Sequence, residues 1–215
     1  MNVALLYMVD GRTKYLERCV ESLQACVDWD WCNVVVSCDE PDPVVLDKSV
    51  RLTGADVVVS TKERGGGAAN IQRAWKAIQH LGGVDYIFHV EEDFTFLSHI
   101  PIRGMLDVLE LHPWLAQMTL RRQPWGGEGP GGYIGDNPDA YKDRDGYLVH
   151  QKGFWLNPTL YPLSVTWGGW PDRGHESDFT KRKLAQGYQF AVWGSRNDPP
   201  RVWHIGDERH PSWTW

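Results

Sequence analysis

Three consecutive carboxylates, Glu91, Glu92 and Asp93, come directly after the apolar run 85–90. Because side chains two apart on a strand share a face, we expect Glu91 and Asp93 to point the same way and Glu92 the opposite way. Uncompensated carboxylates repel each other, and a divalent cation bound by oxygen ligands removes that repulsion while it keeps positions open for phosphate oxygens. The pattern therefore predicts either a metal site or a solvated acidic turn at a strand end.

Short β-branched or aromatic runs predict the strands that position this acidic run. They look buried on both faces, as central parallel strands are, and they cover residues 3–9, 33–37, 56–60 and 85–90. Amphipathic helices are predicted over 15–27 behind a Thr13 N-cap and over 68–81 before Gly82, with a shorter helical segment over 41–52. Alternating strands and helices imply a parallel sheet, in which ligands gather beyond the carboxyl ends of the strands.

The second half of the chain is less regular. Residues 121–150 begin with a run rich in Gly and Pro and show neither period, which predicts a flexible lid or acceptor loop, or else a disordered excursion. Strand character returns over 154–167, a helix is predicted over 177–186 before Gly187, and a last strand over 188–193. The whole order predicts a single α/β domain with a mostly parallel sheet flanked by helices.

Composition narrows the class of protein. The 215 residues suffice for one domain, which we divide into halves 1–97 and 98–215, and the formal net charge of -6 argues against nonspecific nucleic-acid binding. Four cysteines within the first 38 residues, without Cys-x-x-Cys spacing, predict reduced thiols in a cytoplasmic protein, and no apolar run is long enough to span a bilayer. Of twelve tryptophans, most are expected in the core and a few as flat platforms for a sugar.

Four motifs follow one another along the chain. They are Val-Ala-Leu-Leu-Tyr-Met-Val-Asp-Gly-Arg at 3–12, Arg-Gly-Gly-Gly-Ala-Ala-Asn at 64–70, Glu-Glu-Asp at 91–93, and Trp-Pro-Asp-Arg-Gly-His-Glu-Ser-Asp-Phe at 170–179. In order and approximate spacing they resemble the GT-A glycosyltransferases, closest in style to the large family-2-like group, over nearly the whole chain. There the motifs correspond to the first strand and nucleotide-binding loop, a segment near the donor nucleotide, the Asp-x-Asp motif, and a late acidic motif at a helix start.

The resemblance implies a GT-A-like, Rossmann-related fold and transfer of a sugar from a nucleoside diphosphate sugar, such as a UDP- or GDP-sugar, to a hydroxyl-bearing acceptor. It also implies Mn²⁺ or Mg²⁺, which would stabilise the charge on the departing diphosphate, with Glu91, Asp93 and His204 as ligands. Glu91 replaces the usual first Asp, so it is expected to bind either the metal or the ribose. The alternative for His204 is an ordinary packed or surface histidine.

The late acidic motif supplies the candidate catalytic residues Glu176 and Asp178. Counting back from Gly187 through Arg182 places Glu176 at the family's catalytic carboxylate, which takes the acceptor hydroxyl's proton in an inverting transfer. This chain has His175 and Glu176 where the family has Glu and Asp. Carboxylates favoured by the helix dipole would explain both placements equally well, and a retaining mechanism would need no such base.

The remaining candidates would bind the donor. Asp10 and Asp39, at the ends of the first two strands, are expected either to contact its base and ribose or to form turns, which Asp favours. Arg64 and the glycines after it would let a cation and backbone N–H groups approach the diphosphate. The full set of donor-binding candidates is Tyr7, Val9, Asp10, Arg12, Asp39, Arg64, Gly65, Asn70, Glu91 and Glu92.

Rival classes of protein remain open. A metal-dependent nucleotidyltransferase would share the sheet and the metal, but it is expected to carry a Gly-rich, basic phosphate loop after the first strand, and Val-Asp-Gly-Arg at 9–12 is poor for that. A phosphohydrolase generally needs more scattered carboxylates. A non-catalytic module that binds carbohydrate or a nucleotide sugar would use the tryptophans without a metal.

Overall fold

The computed structural model describes residues 1–171 and 176–206, so positions 172–175 of the late acidic motif lie outside the described part. Two 3₁₀ turns, at Pro138–Ala140 and Leu163–Thr166, accompany the helices and strands. In chain order these are β1 (Val3–Val9), α1 (Thr13–Cys26), β2 (Asn33–Cys38), α2 (Pro43–Thr53), β3 (Val57–Val59), α3 (Gly66–Leu81), β4 (Tyr86–Glu91), β5 (Phe94–Phe96), α4 (Ile102–Leu111), β6 (Leu115–Leu120), α5 (Gly132–Asp136), β7 (Tyr141–Asp143), β8 (Tyr147–His150), β9 (Thr159–Pro162), α6 (Glu176–Ala185), β10 (Gln189–Trp193) and β11 (Val202–His204).

A nine-stranded sheet in the order β3-β2-β1-β4-β9-β6-β10-β8-β7 runs through the molecule. Strands β9 and β8 are antiparallel to their neighbours, and the other strands of this sheet all run the same way. The predicted α/β fold with a mostly parallel sheet flanked by helices is confirmed. Strands β5 and β11 form a separate antiparallel ribbon, which begins directly after the turn that ends β4.

Alternate side chains of β1 pack into two apolar layers, one on each face of the sheet. Helices α1 and α4 cover the first layer, and α3 and α6 cover the second. The strand is therefore buried on both faces, as the run of apolar residues predicts. The β1 residues of the two layers are Val3, Leu5, Tyr7 and Val9 for the first and Ala4, Leu6 and Met8 for the second.

Two helix starts differ from the sequence prediction. Helix α1 has Arg12 as its N-cap, without a side-chain hydrogen bond, so the predicted Thr13 cap is wrong. Helix α2 is a full element of the fold, because Asp42 accepts a hydrogen bond from Val44 N at 2.8 Å and Pro43 takes an early helical position that needs no N–H.

The predicted loop 121–150 contains regular structure in its second part. Helix α5 and strands β7 and β8 lie there, and β8 pairs with β10 at the end of the main sheet. Within the predicted strand region 154–167, only β9 is a strand, inserted antiparallel between β4 and β6. Elements of three to five residues are too short to show a period, which is why the sequence pattern does not predict them.

Three neighbouring parallel strands end at one edge of the sheet. They are β2, β1 and β4, which close at Cys38, Val9 and Glu91. None of the helices within the described ranges is both long and apolar enough to cross a membrane. The fold thus brings together, from three distant parts of the sequence, the polar residues that follow these strands: Asp39, Glu40, Asp10, Glu92 and Asp93.

Candidate functional site

Glu92 and Asp93 form an acidic pair that shares one guanidinium. Arg12 Nε donates to Glu92 Oε1 at 2.8 Å, and Arg12 Nη2 donates to Asp93 Oδ2 at 2.7 Å. Strand β4 ends at Glu91, so the next two residues lie in a turn where strand alternation does not apply. The expectation that Glu92 points away from Asp93 is therefore wrong, because both carboxylates bind the same guanidinium.

The two carboxyls of this pair have opposite pKa shifts. Burial raises the pKa of Glu92 to about 7, although the charge and the hydrogen bond of Arg12 oppose that shift. Burial would also raise the pKa of Asp93, but the hydrogen bond from His204 and the charge of Arg12 outweigh it and hold that pKa below its usual value. Asp93 is thus the carboxylate that stays ionised, as binding of a cation requires.

His204 lies beside Asp93 because the ribbon of β5 and β11 brings it there. In the antiparallel register His204 pairs with Phe94, and Ile205 N donates to the Asp93 carbonyl at 2.8 Å. The imidazole Nε2 is 3.2 Å from Asp93 Oδ2, and its ring stands edge-on to Phe94, with 5.0 Å between the ring centroids. Two of the three predicted metal ligands therefore meet, although they come from distant parts of the chain.

The donor atoms of Asp93 and His204 are suited to a divalent cation. A carboxylate oxygen is a ligand that both Mg²⁺ and Mn²⁺ prefer, whereas an imidazole nitrogen favours Mn²⁺. Across residues 1–171 and 176–206 no three or more His, Cys, Asp or Glu side chains form a group that could hold a metal, so Glu91 does not join the pair. Two protein ligands leave most coordination positions to oxygens of a bound ligand.

Asp39 caps helix α3 from the end of β2. Its carboxylate is fully buried and accepts hydrogen bonds from Gly65 N at 3.1 Å and from Gly66 N at 2.8 Å, and Arg73 pairs with the same carboxylate. The first N–H groups of a helix have no partner within it, so such a cap stabilises the helix. The N–H groups predicted to approach a diphosphate thus bind Asp39, which has no exposed surface for the predicted contact with the donor.

Replacing Asp39 with Asn is expected to destabilise the fold by about 2–3 kcal/mol, because hydrogen bonds to a charged acceptor and the pairing with Arg73 are lost. The measurement is the free energy of unfolding in urea. Asp42→Asn is the matched control, since Asp42 caps α2 at an exposed position where Asn caps as well as Asp does. An Asp39→Asn variant as stable as this control would contradict the assigned role.

Asp10, Arg64 and Glu40 form a second charged cluster at the same edge. Arg64 donates to the carboxylate and the carbonyl of Asp10 and also pairs with Glu40. Gly11 has a φ of 99°, and a side chain there would meet Glu40 Cβ at 3.0 Å, so only Gly fits this turn. The side chains of Arg64 and Glu40 keep 18% and 20% of their surface exposed, which leaves both open to a ligand.

Three other predicted donor contacts belong to the interior. Tyr7 and Val9 are buried in β1, and the Val9 carbonyl accepts a hydrogen bond from Asp39 N at 2.9 Å. Asn70 is also buried, and its side-chain oxygen accepts a 2.6 Å hydrogen bond from Ser37 Oγ. These side chains hold β1, β2 and α3 together, and their burial leaves almost no exposed surface for the predicted contact with the donor.

Glu176 and Asp178 at the start of α6 have different surroundings. Glu176 Oε1 accepts a hydrogen bond from Leu156 N at 2.8 Å, and burial raises the pKa of Glu176 to about 7 against the effects of that bond and of the Arg122 charge. Asp178 is half exposed and pairs with Lys181 at 3.4 Å. A carboxyl with a pKa near 7 is suited to take up a proton at neutral pH, so the surroundings favour Glu176 over Asp178 as a base.

The loop between β6 and α5 makes contacts that the sequence pattern does not predict. Arg122 is buried and donates to both carboxylate oxygens of Glu128, at 2.9 and 2.8 Å. Gln123 exchanges two hydrogen bonds with the backbone of His204, at 3.0 and 2.9 Å, and so fixes β11. The polar run at 121–123 is visible in the sequence, but no period connects it with these partners.

Solved structures share this architecture, whereas no protein-family model and no curated protein sequence matches the chain. Residues 1–349 of S. aureus TarS match in complex with UDP-GlcNAc, at 14% identity and a TM-score of 0.62 over 98% of this chain and 60% of that one. The same part of TarS in complex with UDP matches at 13% identity and a TM-score of 0.61, over 94% of this chain and 60% of that one.

GalNAc-T7, in a structure with UDP, GalNAc and Mn²⁺, matches at 12% identity and a TM-score of 0.71, over 99% of this chain and 45% of that one. The chain therefore spans 60% or less of the length of these structures. It has the fold of the GT-A-type glycosyltransferases, to which both TarS and GalNAc-T7 belong.

Proposed function

We propose that this chain transfers a sugar from a nucleoside diphosphate sugar to a hydroxyl-bearing acceptor with the help of a divalent cation. The observation that carries the proposal is the convergence of Asp93 Oδ2 and His204 Nε2, 3.2 Å apart, at the carboxyl edge of the sheet. Ligands of open α/β sheets bind at that edge. The fold adds support, because structures of TarS and GalNAc-T7 contain UDP, and the GalNAc-T7 structure also contains Mn²⁺.

The donor nucleotide would lie against the two charged clusters of the first half of the chain. Arg64 and Glu40, both partly exposed, would exchange hydrogen bonds with the ribose and the base, while Asp10 orients Arg64. Arg12, held between Glu92 and Asp93, would offer its positive charge to the diphosphate. A UDP-sugar is the first choice, since UDP is the nucleotide in the TarS and GalNAc-T7 structures.

Asp93 and His204 would hold the cation, with Mn²⁺ favoured over Mg²⁺ by the imidazole. When bound, the ion stabilises as a Lewis acid the negative charge that builds up on the departing diphosphate. Arg12 contributes a second positive charge close by and keeps the buried Glu92 in place. Glu91 ends β4 and does not join the pair of Asp93 and His204, so it is assigned to the ribose of the donor.

Glu176 would act as the general base of an inverting transfer. Its carboxylate takes the proton of the acceptor hydroxyl while that oxygen bonds to the anomeric carbon and the bond from this carbon to the diphosphate oxygen breaks. The pKa of about 7 supports this role, and the N–H of Leu156 keeps the carboxylate oriented. The first half of the chain, 1–97, would thus bind the donor, and the second half would supply the base and the acceptor site.

A thermal-shift screen of UDP-, GDP- and TDP-sugars tests this proposal. We expect a UDP-sugar to raise the Tm more with Mn²⁺ than without it, because a ligand that binds only the folded state stabilises that state, by about 2.7 kcal/mol at 100 times its Kd. Release of nucleoside diphosphate is measured in the same samples. Stabilisation without any turnover would favour a non-catalytic sugar-nucleotide-binding module, and neither shift nor hydrolysis with any donor would contradict the proposal.

A further inference from the structure

Trp125 presents an exposed indole beside the candidate site. Although Trp is usually buried, 43% of Trp125 is exposed, and its ring stands edge-on to the His204 imidazole with 5.9 Å between the centroids. We propose that Trp125 is the platform on which a sugar ring of the acceptor stacks, so that the acceptor is a saccharide. This inference rests on the proposed function and names the substrate class of its second site.

The indole is held in place without any ligand. The Arg122 guanidinium lies 3.6 Å from the ring centroid and covers one face of the ring. The backbone N–H of Trp125 donates to Glu128 Oε2 at 2.8 Å. Arg122 and Glu128 are themselves joined by two hydrogen bonds. Arg122 thus packs against the ring and Glu128 binds the backbone of the same residue, so binding of a ligand would cost little ordering of the side chain.

The position of the platform favours the acceptor over the donor sugar. Trp125 belongs to the loop after β6, in the half of the chain that contains Glu176, whereas the charged clusters assigned to the nucleotide follow β1, β2, β3 and β4 in the first half. Arg122 connects the Trp125 platform with the candidate base, because it stacks on Trp125 and its charge also acts on Glu176. A sugar ring stacked on Trp125 would therefore lie near His204, one of the two proposed cation ligands, and near Arg122, whose charge acts on the candidate base.

The chemistry of such a surface fits a pyranose. One face of a pyranose ring presents C–H groups and buries well against an indole, while its hydroxyls point outward to polar groups. Removing the indole should therefore weaken binding of sugar acceptors about tenfold. An acceptor hydroxyl on a peptide or on glycerol has no such ring and would gain nothing from Trp125.

Transfer kinetics of the whole chain with Mn²⁺ and the UDP-sugar that it hydrolyses fastest test this inference. The acceptors are methyl glycosides of glucose, galactose, mannose and N-acetylglucosamine, with glycerol and a serine peptide as acceptors without a ring. For Trp125→Ala we expect an acceptor KM about tenfold higher, with kcat and the donor KM unchanged, and for Trp125→Phe we expect most of the affinity to return. Trp203→Ala is the matched control, because Trp203 is 47% exposed and its side chain alternates to the other face of β11 from His204.

Three results would overturn the inference: an unchanged acceptor KM in Trp125→Ala, a raised donor KM in that variant, or transfer to the acceptors without a ring only. Hydrolysis of the donor by the unmodified chain shows whether only the saccharide acceptor is wrong or the proposed function as well. If the chain hydrolyses a UDP-sugar but transfers to no glycoside, the saccharide acceptor is wrong while the proposed function stands. If no donor is hydrolysed, the function itself fails.

Discussion

Replacing Glu176 with Gln is expected to lower the rate of sugar transfer about 10²–10⁴-fold, because general-base catalysis contributes that much to comparable reactions. Gln keeps an oxygen that can accept the hydrogen bond from Leu156 N, so the start of α6 should remain intact. Donor affinity should therefore stay close to that of the unmodified chain. The measurement is kcat for transfer at saturating donor, together with the donor Kd.

The pH dependence of transfer is a second test of Glu176 as the base. Burial raises the pKa of Glu176 to about 7, so the carboxyl is protonated below that pH and cannot take a proton. The rate of transfer should thus rise as the pH increases through about 7. The residual activity of Glu176→Gln should not show this increase. Asp178→Asn is the matched control, since Asp178 is half exposed in the same turn. Near-normal transfer by Glu176→Gln would exclude Glu176 as the base.

Replacing Asp93 with Ala is expected to weaken Mn²⁺-dependent binding of UDP about 100-fold or more, since only one of the two proposed ligands would remain. The fold should survive, because Arg12 keeps its hydrogen bond to Glu92 and no buried charge is left without a partner. Asp47→Ala serves as a control, because Asp47 is an exposed carboxylate that pairs with Arg51 on α2. An Asp93→Ala variant in which Mn²⁺ still strengthens UDP binding as before would rule out Asp93 as a ligand.

The sequence predicts those parts of the fold where one period extends over many residues. Strand β1 and helices α1 and α3 are long enough to show their pattern, and Gly82 marks the end of α3 by its positive φ of 69°. The short strands β7, β8 and β9 are held by their neighbours in the sheet and show no local pattern of their own. The sequence pattern also does not predict the turn that follows Glu91, and this turn brings Glu92 and Asp93 to the same guanidinium of Arg12.

For the site, the sequence identifies which residue types follow the strands but not what they contact. Asp10 and Asp39 occupy equivalent places after β1 and β2, yet Asp39 is buried as the cap of α3 and Asp10 orients Arg64. The difference arises from Gly65 and Gly66, whose N–H groups reach only one of the two carboxylates. The meeting of Asp93 with His204 depends on the pairing of β5 with β11, a contact between distant short strands that no local pattern predicts.

Calorimetric titration of UDP into the unmodified chain, with and without Mn²⁺, is the most direct measurement of the central claim that a cation at Asp93 and His204 binds a nucleoside diphosphate. We expect the affinity for UDP to rise strongly when Mn²⁺ is present, and we expect this rise to be lost in His204→Ala as well as in Asp93→Ala. Equal UDP affinity in the presence of Mn²⁺ and of a chelator would contradict it.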